Sequence, residues 1–313
     1  MIPLRIILLL EILLLIGLAA QAQEKIQVVT KTIQKQISWQ KSQQLTINAE
    51  KATILIKGWN QDAIQLTLKL VAKHPKRSVA EQDLSVHQYA INLEVDQVEL
   101  TNFFRIPESR PKIRSNLQAV YELTIPQSSR LVVNNRYGNI SLADWRGDAD
   151  ITASFGEVQL DNVRGEANLN VNYGDIFLTQ ADADITADTK KTNIIGYRLA
   201  GTLAISCAYG EVEISTQDRL TKVTIDASRT KVSFATTDPM YYYYVLEASS
   251  GHIQTSVPGK RLKDNLFLGK ETFESYQYLA NQPTVFIKTS YSAINIKKQQ
   301  NNATKTTRSA YRP

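Results

Sequence analysis

Carboxylates are the first groups in this chain dense enough to do chemistry. Asp144, Asp148, Asp150, Glu157, Asp161, Asp175, Asp182, Asp184 and Glu211 crowd turn-like positions of its middle. Retaining glycosidases set two carboxyl groups about 5 Å apart and inverting ones wider, and acids on neighbouring turns of a stacked fold reach such separations. Asp and Glu at turns also solubilise corners and bond turn amides. The structural role is the expectation, and with it no enzyme; a carbohydrate-active enzyme that uses the corner acids is the alternative. A lyase would add a base, for which Lys191 and Arg198 are available, though nothing singles them out. His74, His87 and His252 are scattered without ligand spacing, and the nine-residue glycine-aspartate calcium repeat is absent. No metal and no cofactor are therefore expected. Cys207 is the single cysteine, so no intramolecular disulfide forms, and its column of small residues fits a buried, inert thiol.

Aromatic side chains offer a second chemistry, stacking on rings of a ligand or partner. Tyr137, Phe155, Tyr173 and Tyr209 recur at one position of the repeat, with a parity that points them inward as stacked core aromatics. A ladder that stacks on sugar rings is the other reading. Outside the regular repeat, an insertion at about 257–283 carries Phe267, Phe273, Tyr276 and Tyr278 beside Lys260, Arg261 and Lys263. Loops that leave a rigid scaffold often carry its contacts. Tyr241, Tyr242, Tyr243, Phe273, Tyr276 and Tyr278 are accordingly the candidate partner-binding residues. An end plug, or a degenerate coil hidden in the insertion, would account for the same aromatics.

The element that must position these groups is a repeat. Tyr137-Gly138-Asn139-Ile140, Phe155-Gly156-Glu157-Val158, Tyr173-Gly174-Asp175-Ile176, Lys191-Thr192-Asn193-Ile194 and Tyr209-Gly210-Glu211-Val212 follow one another every 18 residues. Looser copies begin at Arg229, Ser250 and Tyr291. Such a period marks a solenoid whose coils bury their apolar faces only against one another. Six and four residues before the corner, and three after it, the columns are apolar throughout, as alternating strands require. A third corner carries Trp145, Val163, Ala181 and Leu199. The predicted fold is all-β, a single-stranded parallel β-helix of 18-residue coils, right-handed by the crossover rule, in preference to an antiparallel sandwich. Glycine at the corner is expected to supply positive φ.

Residues 130–296 are read as the β-helix and 23–129 as a β-rich cap with one short helix near Val79 to His87, started by a Ser78–Glu81 capping box. Residues 1–22 read as a signal peptide: a basic start, an apolar run from Ile6 to Leu18, and Ala20-Gln21-Ala22 for cleavage. That run is short for a span, which needs about 20 apolar residues, although an uncleaved anchor is the other reading. The mature chain is then expected to carry no transmembrane helix and to be exported, to the periplasm, the outer surface or beyond. Net charge is +6, and residues 297–313 contribute five basic residues without an acid, as a disordered basic tail would. Charge confined to a tail and one loop gives no nucleic-acid footprint.

The lead-in Ile54-Leu55-Ile56-Lys57-Gly58-Trp59-Asn60-Gln61-Asp62, the approach Tyr121-Glu122-Leu123-Thr124-Ile125-Pro126 and the coil Val133-Asn134-Asn135-Arg136-Tyr137-Gly138-Asn139-Ile140 carry a resemblance. Over residues 27–296 the sequence resembles the bacterial putative-adhesin β-helix family, an exported family of unknown function. That resemblance implies a non-enzymatic binding or scaffolding module of the cell envelope, facing an envelope protein or a polysaccharide surface. It brings no catalytic residues. A periplasmic sensing or regulatory component is a further alternative.

Overall fold

The computed structural model describes residues 25–108, 112–264, 269–276 and 279–299. The expected signal segment, the tail from residue 300, Phe267 and Tyr278 lie outside the described residues.

The chain is all-β and solenoid-like, with one α-helix among the described residues. Its middle is two parallel ladders. The first joins β2 (Gln44–Glu50), β8 (Arg130–Arg136), β10 (Ala149–Ser154), the second half of β11 (Val158–Asn172), β13 (Asp182–Lys190) and part of β14 (Asn193–Thr236). Leu45, Leu131, Ala149, Ala167, Ile185 and Leu203 are successive partners in it. The second joins β3 (Ala52–Trp59), β9 (Ile140–Trp145), the start of β11, β12 (Asp175–Thr179) and the start of β14, aligning Ile54, Ile140, Val158, Ile176 and Ile194. From Leu131 and Ile140 onward each step is the 18-residue period of the sequence. The apolar columns are buried as their spacing predicts, down to 0% exposure at Val133, Val158, Ile176 and Ile194. Each such side chain contributes roughly 1.5–3 kcal/mol. Trp145, Val163, Ala181 and Leu199 at the third corner are buried as well.

The corner itself corrects the sequence reading. The aromatic takes the left-handed conformation: Tyr137, Phe155, Tyr173 and Tyr209 have φ of 64°, 59°, 59° and 61°, while of the glycines that follow them Gly138 has a positive φ, 155°, and Gly156, Gly174 and Gly210 do not. A residue turned this way breaks the alternation of an extended strand, so parity counted from the preceding strand no longer tells where its side chain goes. The four rings are 39–45% exposed instead of core. Glycine is needed for close approach. A Cβ on Gly156 would stand 2.1 Å from the Gly138 carbonyl oxygen, and one on Gly174 1.9 Å from that of Gly156. Where threonine replaces it, the side chain turns inward: Thr192 Oγ1 donates to the Lys190 carbonyl at 3.1 Å and Thr230 Oγ1 to that of Ser228 at 2.9 Å.

Both ends are interleaved. At the C-terminal end, β19 (Thr284–Ser290) pairs with residues 222–228 of β14 on one side and with β15 (Tyr243–Ser249) on the other. Likewise β20 (Ala293–Lys298) lies between residues 232–236 of β14 and β16 (His252–Gln254). The last repeat of the sequence therefore slots between the sixth and seventh in space. The insertion forms an antiparallel hairpin, β17 (Gly259–Asp264) and β18 (Lys270–Ser275), with β18 antiparallel to β15. No further coil is hidden in its described residues. Buried Glu271 locks this hairpin by accepting from Arg261 Nη1 at 2.5 Å and from the Ile253 amide at 3.1 Å.

At the N-terminal end, β6 (Gln97–Phe104) and β7 (Asn116–Pro126) run parallel to β2 and β3, so the parallel ladders continue across residue 130. Antiparallel strands close this end: β5 (His87–Leu93) on β6, β4 (Ala63–His74) on β7, and β1 (Gln27–Ser38) on β4. The helix α1 spans Arg77–Leu84 with Lys76 as N-cap and no side-chain cap. The expected Ser78–Glu81 box is thus not formed; Glu81 instead pairs with Arg77 at 2.8 Å, one helical turn back. Asp83 ties α1 to the sheet by accepting from the amides of Arg114 and Ser115 at 3.0 and 2.8 Å.

Two stability measurements check this account. Gly156→Ala should cost about 3 kcal/mol in denaturant unfolding, because a methyl group meets backbone rather than a side chain able to move. Glu271→Ala should cost about 1–3 kcal/mol by leaving the buried Ile253 amide without its acceptor, and should expose the β17–β18 hairpin to protease before the rest of the chain.

Candidate functional site

Stacking the left-handed corners makes one continuous column along the molecule. In spatial order it runs Lys51, Tyr137, Phe155, Tyr173, Lys191, Tyr209, Arg229, Tyr291 and Ser250, all with φ between 50° and 64°. Tyr137 and Phe155 stack with centroids 5.0 Å apart and planes 16° from parallel, and Phe155 and Tyr173 at 4.9 Å and 12°. Cations cap and interrupt the rings. Arg136 lies 4.8 Å from the Tyr137 centroid and Lys191 Nζ 5.1 Å from that of Tyr173. Arg229 stands 5.3 Å from both Tyr209 and Tyr291, and its Nη1 donates to the Tyr209 hydroxyl at 2.5 Å. Within the stacked run, faces are consumed by neighbours and solvent meets ring edges. A ladder that stacks on sugar rings, the other reading of the sequence, is closed off within that run by this geometry.

Six of the nine acids named from the sequence find partners on nearby coils. Asp144 accepts from Asn162 at 2.8 Å, Asp150 from Asn168 at 3.0 Å, Asp175 from Asn193 at 2.9 Å and Asp184 from Thr202 at 2.7 Å. Asp182 pairs with Arg219 at 3.2 Å and Glu211 with Lys231 at 2.6 Å. These are rungs of polar ladders in which a carboxylate sits against an amide, a hydroxyl or a cation. Carboxylates also follow one another across adjacent strands: Glu166 is aligned with Asp184, and Glu157 and Asp175 each stand one residue before the paired Val158 and Ile176.

The aromatic candidates of the C-terminal end divide. Tyr242 and Phe273 are buried, at 1% and 3% exposure, which removes them from any partner-facing surface. Tyr242 packs edge-on against Phe234 at 5.4 Å, and Phe273 is aligned with Leu246; both plug the end. Tyr241 and Tyr276 are exposed, and Tyr243 is half-buried with its hydroxyl donating to Glu274 of the hairpin. Sequence reasoning placed Lys191 and Arg229 at the corner of the repeat but did not read them as members of an exposed column that contacts the rings. Their place in the repeat alignment was the available signal.

One buried polar cluster lies beside the Lys51 end of the column. Tyr121 donates to Asn102 Oδ1 at 3.2 Å, Asn102 Nδ2 donates to the Glu50 carbonyl at 2.8 Å, and His87 Nε2 lies 3.1 Å from Asn102 Nδ2. Desolvation, reinforced by Lys51, lowers the His87 pKa from 6.5 to about 4. Burial likewise pushes the Cys207 thiol up to about 11, which keeps it protonated and unreactive. Among the described residues no group of His, Cys, Asp and Glu is arranged to hold a metal ion. No helix among them is long and apolar enough to cross a membrane.

An all-β, solenoid-like scaffold displaying a linear side-chain column is the class of protein that fold and surface define. The chain belongs to the Toastrack DUF4097 family, whose profile matches residues 42–282, in agreement with the resemblance read from the sequence. No curated protein matches it. Similar solved structures include a putative lipid binding protein from Parabacteroides distasonis, 11% identical, TM-score 0.46, covering 87% of this chain and 97% of its own. A putative adhesin from Bacteroides fragilis is 9% identical, TM-score 0.40, with 86% and 97% covered. A putative cell adhesion protein from Clostridium sporogenes is 11% identical, TM-score 0.29, with 87% and 100% covered.

The His87 cluster yields a signed prediction. The folded state disfavours the imidazolium, so its stability is complete above the unfolded pKa of 6.5 and is lost as pH falls toward 4. Between pH 7 and pH 5 this group alone should cost about 2 kcal/mol. Urea unfolding of wild type and His87→Gln across that interval should show a shallower pH dependence in the variant.

Proposed function

We propose that this chain is a single parallel β-helix closed by its N-terminal β-rich segment, exported, and used as a non-enzymatic binding or scaffolding module of the cell envelope. The observation that carries this reading is the corner column: exposed aromatic and cationic side chains aligned on a backbone held by parallel hydrogen bonds. Such an array presents contacts at fixed spacing and loses little conformational freedom on meeting a partner. An extended envelope polymer or an envelope protein is the partner class that suits a linear surface. The pairing of most corner acids with amides, hydroxyls and cations supports a structural role for them. Exposed Tyr241 and Tyr276 offer a second contact point at the C-terminal end.

The Glu166 and Asp184 alignment favours a second reading, a carbohydrate-active enzyme. Glu166→Gln and Asp184→Asn separate the two. Ligand retention within about twofold of wild type is expected of a binding module, whereas an enzyme would lose orders of magnitude in turnover of its glycan.

Export is checked directly. The mature protein should begin at Gln23 and be found outside the cytoplasm; an intact residue 1–22 segment on a cytoplasmic protein would sink the proposal. Protease treatment of intact cells, with a periplasmic protein as control, then separates the outer surface from the periplasm.

A further inference from the structure

The corner column is an aromatic stack with one ring missing. From Tyr137 through Phe155 to Tyr173 a ring stands on every rung, and then Lys191 takes the ring's place. Tyr209 resumes on the rung beyond. Neighbouring rungs are about 4.8 Å apart, so Tyr173 and Tyr209 occupy rungs about 10 Å apart with a single unfilled ring position between them. The outer side of Tyr209 is taken by Arg229, which leaves its other face toward the Lys191 rung. The Tyr173 face on that rung is covered only by the Lys191 ammonium, carried on an exposed, flexible stem. Arg229 fills a second such interval, between Tyr209 and Tyr291, but is tied there by its bond to the Tyr209 hydroxyl, whereas Lys191 meets Tyr173 through its ammonium.

The rim of the interval is polar. Asp175, Asn193 and Glu211 follow one another beside it, with Asn193 Nδ2 donating to Asp175 Oδ1 at 2.9 Å and the Glu211 amide donating to Asn193 Oδ1 at 3.0 Å. Lys190 and Lys191 are both exposed at the same place.

We propose that this interval is a subsite for one pyranose ring of an anionic glycan; the assignment rests on the reading of the chain as a binding module. A sugar entering here stacks one face on Tyr173 and the other on Tyr209, at the spacing the ladder already uses. Its hydroxyls meet the oxygens of Asp175, Asn193 and Glu211. Displaced from Tyr173, Lys191 pairs with the carboxylate of a uronic acid. An aromatic knob from a protein partner would fit the same width but brings at most one hydroxyl to the oxygens of Asp175, Asn193 and Glu211, where a pyranose brings several, so the polar rim favours the sugar.

The test is titration calorimetry of the mature protein with a galacturonic acid hexamer and, as neutral control, a cellulose hexamer. Lys191→Tyr fills the missing ring position. It should raise the melting temperature and weaken hexauronate binding at least about tenfold, so loss of binding in this variant is not loss of fold. Lys191→Ala should leave the neutral hexamer within about twofold but reduce the preference for the charged one by about tenfold, the worth of one charge-assisted contact. Unchanged hexauronate binding by a folded Lys191→Tyr would overturn the subsite, as would a wild type that binds neither hexamer. Capture of a tyrosine-bearing peptide in place of the sugar would reassign the interval to a protein knob and overturn it equally. Because export and surface exposure are measured without any glycan, an exported protein that ignores the hexauronate loses the subsite and keeps its envelope role.

Discussion

Parallel hydrogen bonding at a fixed 18-residue offset is the constraint from which the rest of this molecule follows. It places each residue beside its counterpart one coil away, so every column of the repeat becomes a physical column of side chains. Apolar columns fuse into one core. Polar columns become ladders, as Asn162 on Asp144 and Asn168 on Asp150 show. The corner glycines owe their place to the same constraint. With coils about 4.8 Å apart, a carbonyl of one coil occupies the space where a side chain of the next would begin.

A stack of this kind has an edge problem at each end, since unpaired strands recruit other chains. The two ends share one solution. The β2–β3 coil lies one layer in from its end, covered by β6 and β7, while β19 and β20 lie one layer in from theirs, covered by β15 and β16. Antiparallel strands then finish each end. At the C-terminal end the outer strand β17 carries Lys260, Arg261 and Lys263, charges that oppose further strand addition. The coils at the ends are thereby held by pairing on both sides.

The corner column shows how backbone conformation creates surface. Left-handed φ at a residue with a side chain costs on the order of 1–2 kcal/mol, and nine corners accept it. Ring stacking and ring–cation contacts, worth about 0.5–1.5 kcal/mol each, offset much of that cost between neighbours. The column is in consequence a stabilising device and a displayed one, because the same turn that aligns the rings carries them out of the core.

The sequence by itself determined the repeat, the all-β class, the columns that form the core and the family, because a side chain's burial in an extended strand follows from spacing alone. It also marked Lys191 as the departure from aromatic-glycine. Tertiary structure decided what spacing does not encode. Tyr137, Phe155, Tyr173 and Tyr209 turn outward because the left-handed residue interrupts alternation exactly where parity was being counted. Tyr242 and Phe273 are buried because the hairpin folds back over the seventh repeat, a contact between segments that share no period. The last repeat lies inside the seventh because its outer partners are chosen by which edge remains free after the chain returns, and local sequence carries no record of that choice.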